Sequence, residues 1–173
     1  LSTIFYQYLN KHSYLIDKKK KNRFKLSLMK RINENHHYFL KSSTSLKNLP
    51  NESLYEFCFW GRSNVGKSSL LNSITNSKLA KTSKTPGRTT TLNFFERKDR
   101  YRLVDLPGYG YAKKSKQEIY KWNELILDYL EHRKKIASIF LLIDSRHGIK
   151  KIDQEAIEII ETFKNHFFIV FTK

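Results

Sequence analysis

Apolar residues along this chain come in two arrangements, short continuous runs and stripes at helical spacing, and the two arrangements alternate. Tyr55–Trp60 is an apolar run entered from the turn signal Pro50-Asn51 and reads as a strand. From about Gly66 to Ser77 the apolar positions Leu70, Leu71 and Ile74 have the spacing of a helix face. Leu92–Arg97 and Tyr101–Asp105, joined by Lys98-Asp99-Arg100, read as two strands with a hairpin-like connection. Ser115-Lys116-Gln117-Glu118 has the form of a capping box and predicts a helix to about Glu131, with Ile119, Trp122, Ile126 and Tyr129 on its apolar side. Ile136–Ile143 is a nearly unbroken apolar run ending in Asp144, the pattern of a parallel strand buried on both faces. A helical stripe over Asp153–Asn165 (Ile152, Ala156, Ile160, Phe163) then leads to a last strand, Phe167–Phe171. Phe39 to Pro50 reads as an entry segment, and the polar, turn-prone stretch Lys78–Thr91 around Pro86-Gly87 as a mobile loop. Strands alternating with helices predict an α/β sheet with helices on both faces, binding its ligand at the carboxyl ends of the strands.

Composition narrows the class. The chain has 173 residues, 39% hydrophobic and 14% aromatic, which suits one globular domain. No apolar run approaches the ~20 residues that cross a bilayer. The single cysteine, Cys58, falls in the first strand and reads as a small core residue. The six histidines show no metal-ligand spacing. Net charge is +17, spread over both parts of the chain: residues 1–49 hold eleven lysines and arginines against Asp17 and Glu34. A field of that sign favours nucleic acid or an anionic membrane as partner. The first 37 residues are basic and poor in acids, include Lys18–Lys21, and open on Leu1 rather than Met, with Met29 as an internal candidate start. They read as a flexible basic arm or as part of a targeting segment for mitochondrion or plastid; without such a segment the expected location is cytoplasmic.

The chemistry lies between the first strand and first helix. Gly61-Arg62-Ser63-Asn64-Val65-Gly66-Lys67-Ser68-Ser69 is G-x-x-x-x-G-K-S in strand–loop–helix context, a phosphate-binding loop. Its glycines allow a tight turn with inward N–H groups, Lys67 reaches β- and γ-phosphates, and the Ser68 hydroxyl suits Mg²⁺. Asp105-Leu106-Pro107-Gly108 at a strand end offers a carboxylate for the Mg²⁺ shell and a glycine N–H for the γ-phosphate. Thr89, in the loop before the second strand, is placed to close on Mg²⁺ while the γ-phosphate is present, which is the logic of a switch.

Beyond the generic loop, Lys81-Thr82-Ser83-Lys84-Thr85-Pro86-Gly87-Arg88-Thr89, Asn93-Phe94-Phe95, Asp105-Leu106-Pro107-Gly108-Tyr109-Gly110-Tyr111-Ala112 and Asp144-Ser145-Arg146-His147-Gly148 resemble the EngB (YihA) family of ribosome-biogenesis GTP-binding proteins. The resemblance runs from about residue 39 to the end. It implies a small G domain: a P-loop NTPase, three-layer α/β/α with a mostly parallel sheet. It implies GTP/GDP as ligand, held by Gly61–Ser69, by Gly87, Arg88, Thr89, Thr90 and Thr91, by Asp105–Gly108, and by Thr172 and Lys173. Mg²⁺ would sit on Ser68, Thr89 and Asp105. The implied activity is slow GTP hydrolysis using Lys67, Thr89, Gly108 and Asn64, in a monomer that docks on ribosomal RNA or a pre-ribosomal particle, with a family-level role in cell division and septation. Tyr109 stands where Ras-like proteins carry the water-orienting glutamine, so hydrolysis is expected to depend on a partner. Asn64 matches an asparagine that helps related GTPases hold K⁺; its other reading is as a turn residue.

The family reads guanine with Thr-Lys-x-Asp, and this chain stops at Thr172-Lys173. The sequence therefore reads as a G domain incomplete at its C-terminus, its last strand left as a sheet edge. One other class stays open at this point, a basic RNA-binding or interaction module with a defunct nucleotide site; an ATP-dependent P-loop enzyme is disfavoured by Thr172-Lys173 and Asp105-Leu106-Pro107-Gly108 together.

Overall fold

A computed structural model describes residues 36–80, 91–110 and 116–173. By its contacts the chain divides into Leu1–His36 and His37–Lys173, and all the described elements belong to the second unit. They are β1 (His37–Ser43), β2 (Tyr55–Gly61), α1 (Lys67–Thr75), β3 (Leu92–Arg97), β4 (Tyr101–Asp105), α2 (Lys116–His132), β5 (Ile136–Asp144), α3 (Lys151–Thr162) and β6 (Phe167–Thr172), with one short 3₁₀ turn at Leu46–Asn48. The six strands form one sheet in the order β1-β3-β4-β2-β5-β6. β4, β2, β5 and β6 run parallel, and β3 is antiparallel to both β4 and β1.

Side chains alternate across this sheet and build two cores. Cys58 and Trp60 of β2 join Phe94, Val104, Ile139, Leu141 and Ile143 beneath α2 and α3, which contribute Ile126, Tyr129, Ala156 and Ile160. Phe59 joins Phe95, Leu103 and Leu142 on the other face, where α1 contributes Leu71. Helices thus cover both faces, as the alternation of elements predicts. β6 is a sheet edge, with Phe168 and Phe171 exposed.

Two expectations need correction. The entry segment from Phe39 contains an edge strand: β1 pairs with β3 from His37↔Arg97 to Ser43↔Leu92, with a shift of register between Phe39 and Lys41. Its residues HYFLKSS are mixed in polarity and broken by that bulge, so no two-residue period marks them; pairing with β3 supplies what local pattern does not. Ile74 is exposed rather than inward. Leu71 is buried and Leu70 half-buried against the core as expected, while Lys67 and Thr75 complete with Leu71 a buried stripe at four-residue spacing that starts with the loop lysine. The expected capping box at Ser115 and the side chains of Ile119 and Trp122 lie outside the described residues.

Register is what positions the site. Phe59 lies opposite Asp105, Gly61 opposite Leu142, and Asp144 opposite Thr172. The ends of four neighbouring strands therefore bring Gly61, Asp105, Asp144 and Thr172 to one pole of the sheet. At the other pole Glu56 is fully buried and accepts from Arg133 Nη2 (2.6 Å) and Nε (2.8 Å) and from the Tyr129 hydroxyl (2.7 Å).

Candidate functional site

The loop after β2 is shaped by close approach. A Cβ on Gly61 would come 2.7 Å from the Leu142 carbonyl oxygen, so only glycine lets β2 and β5 run this close before the chain turns away. Asn64 (φ 64°) and Gly66 (φ 104°) adopt left-handed conformations, one tolerated by asparagine and the other favouring glycine. Val65 is buried as the loop's anchor, and α1 starts at Lys67 directly after Gly66, so the first-turn N–H groups that a helix leaves without an intrahelical partner belong to the end of this loop. Leu70 N–H donates to the Gly66 carbonyl at 2.9 Å, closing the first helical turn.

Lys67 and Asp105 converge. Both are buried, and the ammonium contacts Asp105 Oδ1 directly. The phosphate-loop lysine and the carboxylate expected in the metal shell thus share one site, with Ser68 next in the chain. A carboxylate and, one residue beyond the lysine in the chain, a hydroxyl are the kinds of hard oxygen donor that suit Mg²⁺. Gly87, Arg88, Thr89 and Thr90 lie outside the described residues. Thr91 donates its hydroxyl to Asn93 Oδ1 at 2.9 Å, at the start of β3.

The chain's last two residues meet the same loop. The Thr172 hydroxyl donates to the Val65 carbonyl at 2.6 Å, and the Lys173 ammonium contacts the Asn64 carbonyl and lies 3.7 Å from Asp144 Oδ2. Asp144 also accepts from Arg146 Nε at 2.9 Å and Nη2 at 2.7 Å, and the Arg146 bonds hold its carboxyl well below the usual carboxylate range. Asn64 itself is exposed.

After β4 the chain stays bound to the loop. Leu106 N–H donates to the Phe59 carbonyl at 3.0 Å, Tyr109 N–H to the Gly61 carbonyl at 3.4 Å, and Ser63 N–H to the Tyr109 carbonyl at 3.2 Å. Tyr109, expected only to be a poor substitute for glutamine, has its hydroxyl engaged by Asp153 Oδ1 at 2.8 Å. Burial first, and then that carboxylate, push the hydroxyl far above its ordinary pKa. Asp153 was not among the residues expected here. An acid in the first turn of a helix is a capping signal, and nothing in the sequence separation of 44 residues announces its contact with Tyr109.

The profile of the 50S ribosome-binding GTPase family matches residues 56–173. The "Probable GTP-binding protein EngB" of Prosthecochloris aestuarii is 52% identical over 136 residues, which cover 78% of this chain and 71% of that protein. The chain belongs to the EngB family of GTP-binding proteins. Its described part is a GTPase domain, with the P-loop fold that the sequence predicts. Among further EngB relatives, the Mycoplasmopsis synoviae protein is 51% identical, with 78% of this chain and 72% of that one covered. The Ruegeria sp. protein is 47% identical, and the match spans 63% of its length, under two thirds. A crystal structure of a probable GTP-binding protein EngB superposes with TM-score 0.54 at 26% identity, covering 66% of this chain and 68% of that one. Aquifex aeolicus Era shares the fold at 24% identity and TM-score 0.53, over 69% of this chain and 40% of its own.

Proposed function

We propose that the chain is a GTP-hydrolysing switch that docks on ribosomal RNA and acts in assembly of the large ribosomal subunit. The observation that supports the switch is the convergence of Asp105, Thr172 and Lys173 on the loop Gly61–Ser69, Asp105 through Lys67. The loop N–H groups and Lys67 bind the β- and γ-phosphates. Ser68, Thr89 and Asp105, the last through water, hold Mg²⁺, which when bound neutralises charge on the phosphate oxygens. Gly108 donates its N–H to the γ-phosphate, and Gly87–Thr91 closes over the nucleotide. Thr172 and Lys173 brace the loop on the side of the base. Because the Tyr109 hydroxyl is taken up by Asp153, no side chain at that position orients the attacking water, and intrinsic turnover is slow. K⁺ held near Asn64 supplies part of the missing charge stabilisation.

For RNA the support is the charge of +17, the family description and the far pole of the sheet. Lys98, Arg100, Lys134 and Lys164 are exposed there, and Lys135 Nζ stands 4.8 Å over the exposed ring of Tyr55. Cations for phosphates beside an open aromatic face are what single-stranded RNA binds. In cells the outcome is subunit assembly and, at the level of the family, division. The basic residues 1–37 direct the chain to an organelle; a fluorescent fusion that stays diffuse in the cytoplasm would refute that part. The soluble unit is a monomer, which sedimentation checks.

Nucleotide titration tests the core of the proposal. Mg²⁺-dependent binding of GTP in preference to ATP is expected, abolished by Lys67→Ala. Thr89→Ala should spare GDP binding and erase the difference between GTP and GDP states. No GTP binding by the complete protein would leave a basic RNA-binding module, and equal hydrolysis in K⁺ and Na⁺ buffers would remove the K⁺ role. Replacing Lys98, Arg100 and Lys134 by glutamate should weaken RNA binding and flatten its salt dependence with GTP affinity intact.

A further inference from the structure

Asp153 is fully buried, yet neither the phosphate cradle nor the metal-binding set uses it. It stands in the first turn of α3, where Oδ2 accepts the Lys150 N–H at 2.9 Å. That bond serves the helix start and would suffice for a capping residue. Oδ1 has a different task. It accepts the Tyr109 hydroxyl at 2.8 Å and lies 3.2 Å from Arg62 Nε. One carboxylate therefore joins α3, the segment after β4 and the phosphate loop.

Gly108 is bracketed by this arrangement. On one side, Pro107 offers its carbonyl to the Trp60 indole N–H at 3.0 Å. On the other, Tyr109 is bound to Gly61 and Ser63 through its backbone, to Asp153 through its hydroxyl, and stands edge-on to Trp60 at 5.2 Å. Arg62 balances the buried carboxylate, but among the described residues its buried Nε and Nη2 have no hydrogen-bond partner. A buried polar cluster held partly by charge alone is easier to remake than a saturated one.

We infer that Asp153 is a positioning residue for the γ-phosphate contact: by holding Tyr109 and Arg62 it presets Gly108 against the phosphate loop and links the first turn of α3 to nucleotide state. The inference rests on the reading of Gly108 as the γ-phosphate donor. Gly108 and Tyr109 share a peptide bond, so fixing one fixes the reach of the other. A donor already in place costs no ordering when the ligand arrives, and a loose one does. Only a nucleotide with a γ-phosphate draws on that difference.

Asp153→Asn keeps the volume and an acceptor for Tyr109 but leaves Arg62 beside a neutral amide, while Tyr109→Phe removes the hydroxyl alone. Each should weaken binding of the Mg²⁺ complex of GDPNP about tenfold, ~1.4 kcal/mol, with the Kd for GDP within about twofold of the parent. Trp60 gives a second readout. In a Trp122→Phe background its fluorescence should respond to GDPNP in the parent and lose that response in Asp153→Asn. Equal weakening for both nucleotides in both variants would make Asp153 purely structural and overturn the inference, as would no change for either. Gly108→Pro, which lacks the N–H, separates the premise: GDPNP binding unchanged in that variant would refute the γ-phosphate role of Gly108 itself.

Discussion

Replacing Glu56 by alanine should cost this domain a large part of its stability while leaving the nucleotide site alone. The carboxylate is fully buried at the pole opposite the phosphate loop and accepts from Arg133 twice, from Tyr129 once and, at 3.5 Å, from Arg102 Nη1. Arg102 has its own acid, Glu96 at 2.9 Å, together with the Asn51 carbonyl. Among the described residues Arg133 has, besides Glu56, the half-exposed Glu52 at 3.5 Å and the Pro50 and Asn51 carbonyls. Deleting Glu56 therefore leaves the buried guanidinium with one half-exposed acid and two carbonyls, and the buried Tyr129 hydroxyl with the weak Cys58 Sγ contact at 3.6 Å. Removing one member of a buried ion pair costs about 3–5 kcal/mol, against the ~5–15 kcal/mol that holds a domain of this kind together. At about 3 °C per kcal/mol for this size, the midpoint should fall by roughly 10–15 °C. Thermal and urea melts followed by circular dichroism read both quantities. Glu56→Gln, which keeps volume and an acceptor, should cost about half as much. Removing both charges with Glu56→Met and Arg133→Met should recover most of the loss. GDP affinity below the transition should not move. A loss under ~1 kcal/mol in Glu56→Ala would refute the argument that this network is a buried, mutually dependent pair.

Three further outcomes are expected. Gly61→Ala should destabilise the fold and weaken GDP binding, since its Cβ would meet the Leu142 carbonyl at 2.7 Å and β2 and β5 would have to part; melts and nucleotide titration check it, and an unchanged variant would mean the strands separate at no cost. Thr172→Val removes the bond to the Val65 carbonyl (2.6 Å) and should cost about 1 kcal/mol of nucleotide affinity, read by calorimetry at constant Tm. Tyr38 donates to Glu96 at 2.6 Å, and chiefly that bond raises its pKa from 10.0 to about 12. Because the folded-state value is the higher one, its contribution is complete below pH ~10 and is lost as pH rises through about 12. Tyr38→Phe should abolish that alkaline component in a stability titration, and its persistence would place it elsewhere.

Much of this protein is written locally. The runs Tyr55–Trp60 and Ile136–Ile143 announce strands because a strand buried on both faces is mostly apolar, a charge such as Glu56 being tolerated there only with buried partners, and both strands are observed. Gly61–Ser69 is legible for the same kind of reason, since glycines where the backbone must turn and a Lys-Ser pair at the helix start are needed within nine consecutive residues. Cys58 in the core followed directly from its place in the apolar run that forms β2. What sequence separation hides, the fold decides. β1 exists because β3 offers it an edge, and its own residues carry no period to show it. Ile74 points outward because α1 turns Lys67, Leu71 and Thr75 inward, a face that starts with the loop lysine and that apolar spacing alone does not mark. Asp153 looks like a helix cap in sequence, and only the return of the chain after β4 brings Tyr109 and Arg62 to its free oxygen. Local chemistry thus marks which residues are candidates to bind phosphate, whereas strand register decides which distant residues meet that loop, because a carboxylate selects partners by distance in space and chain order carries no record of it.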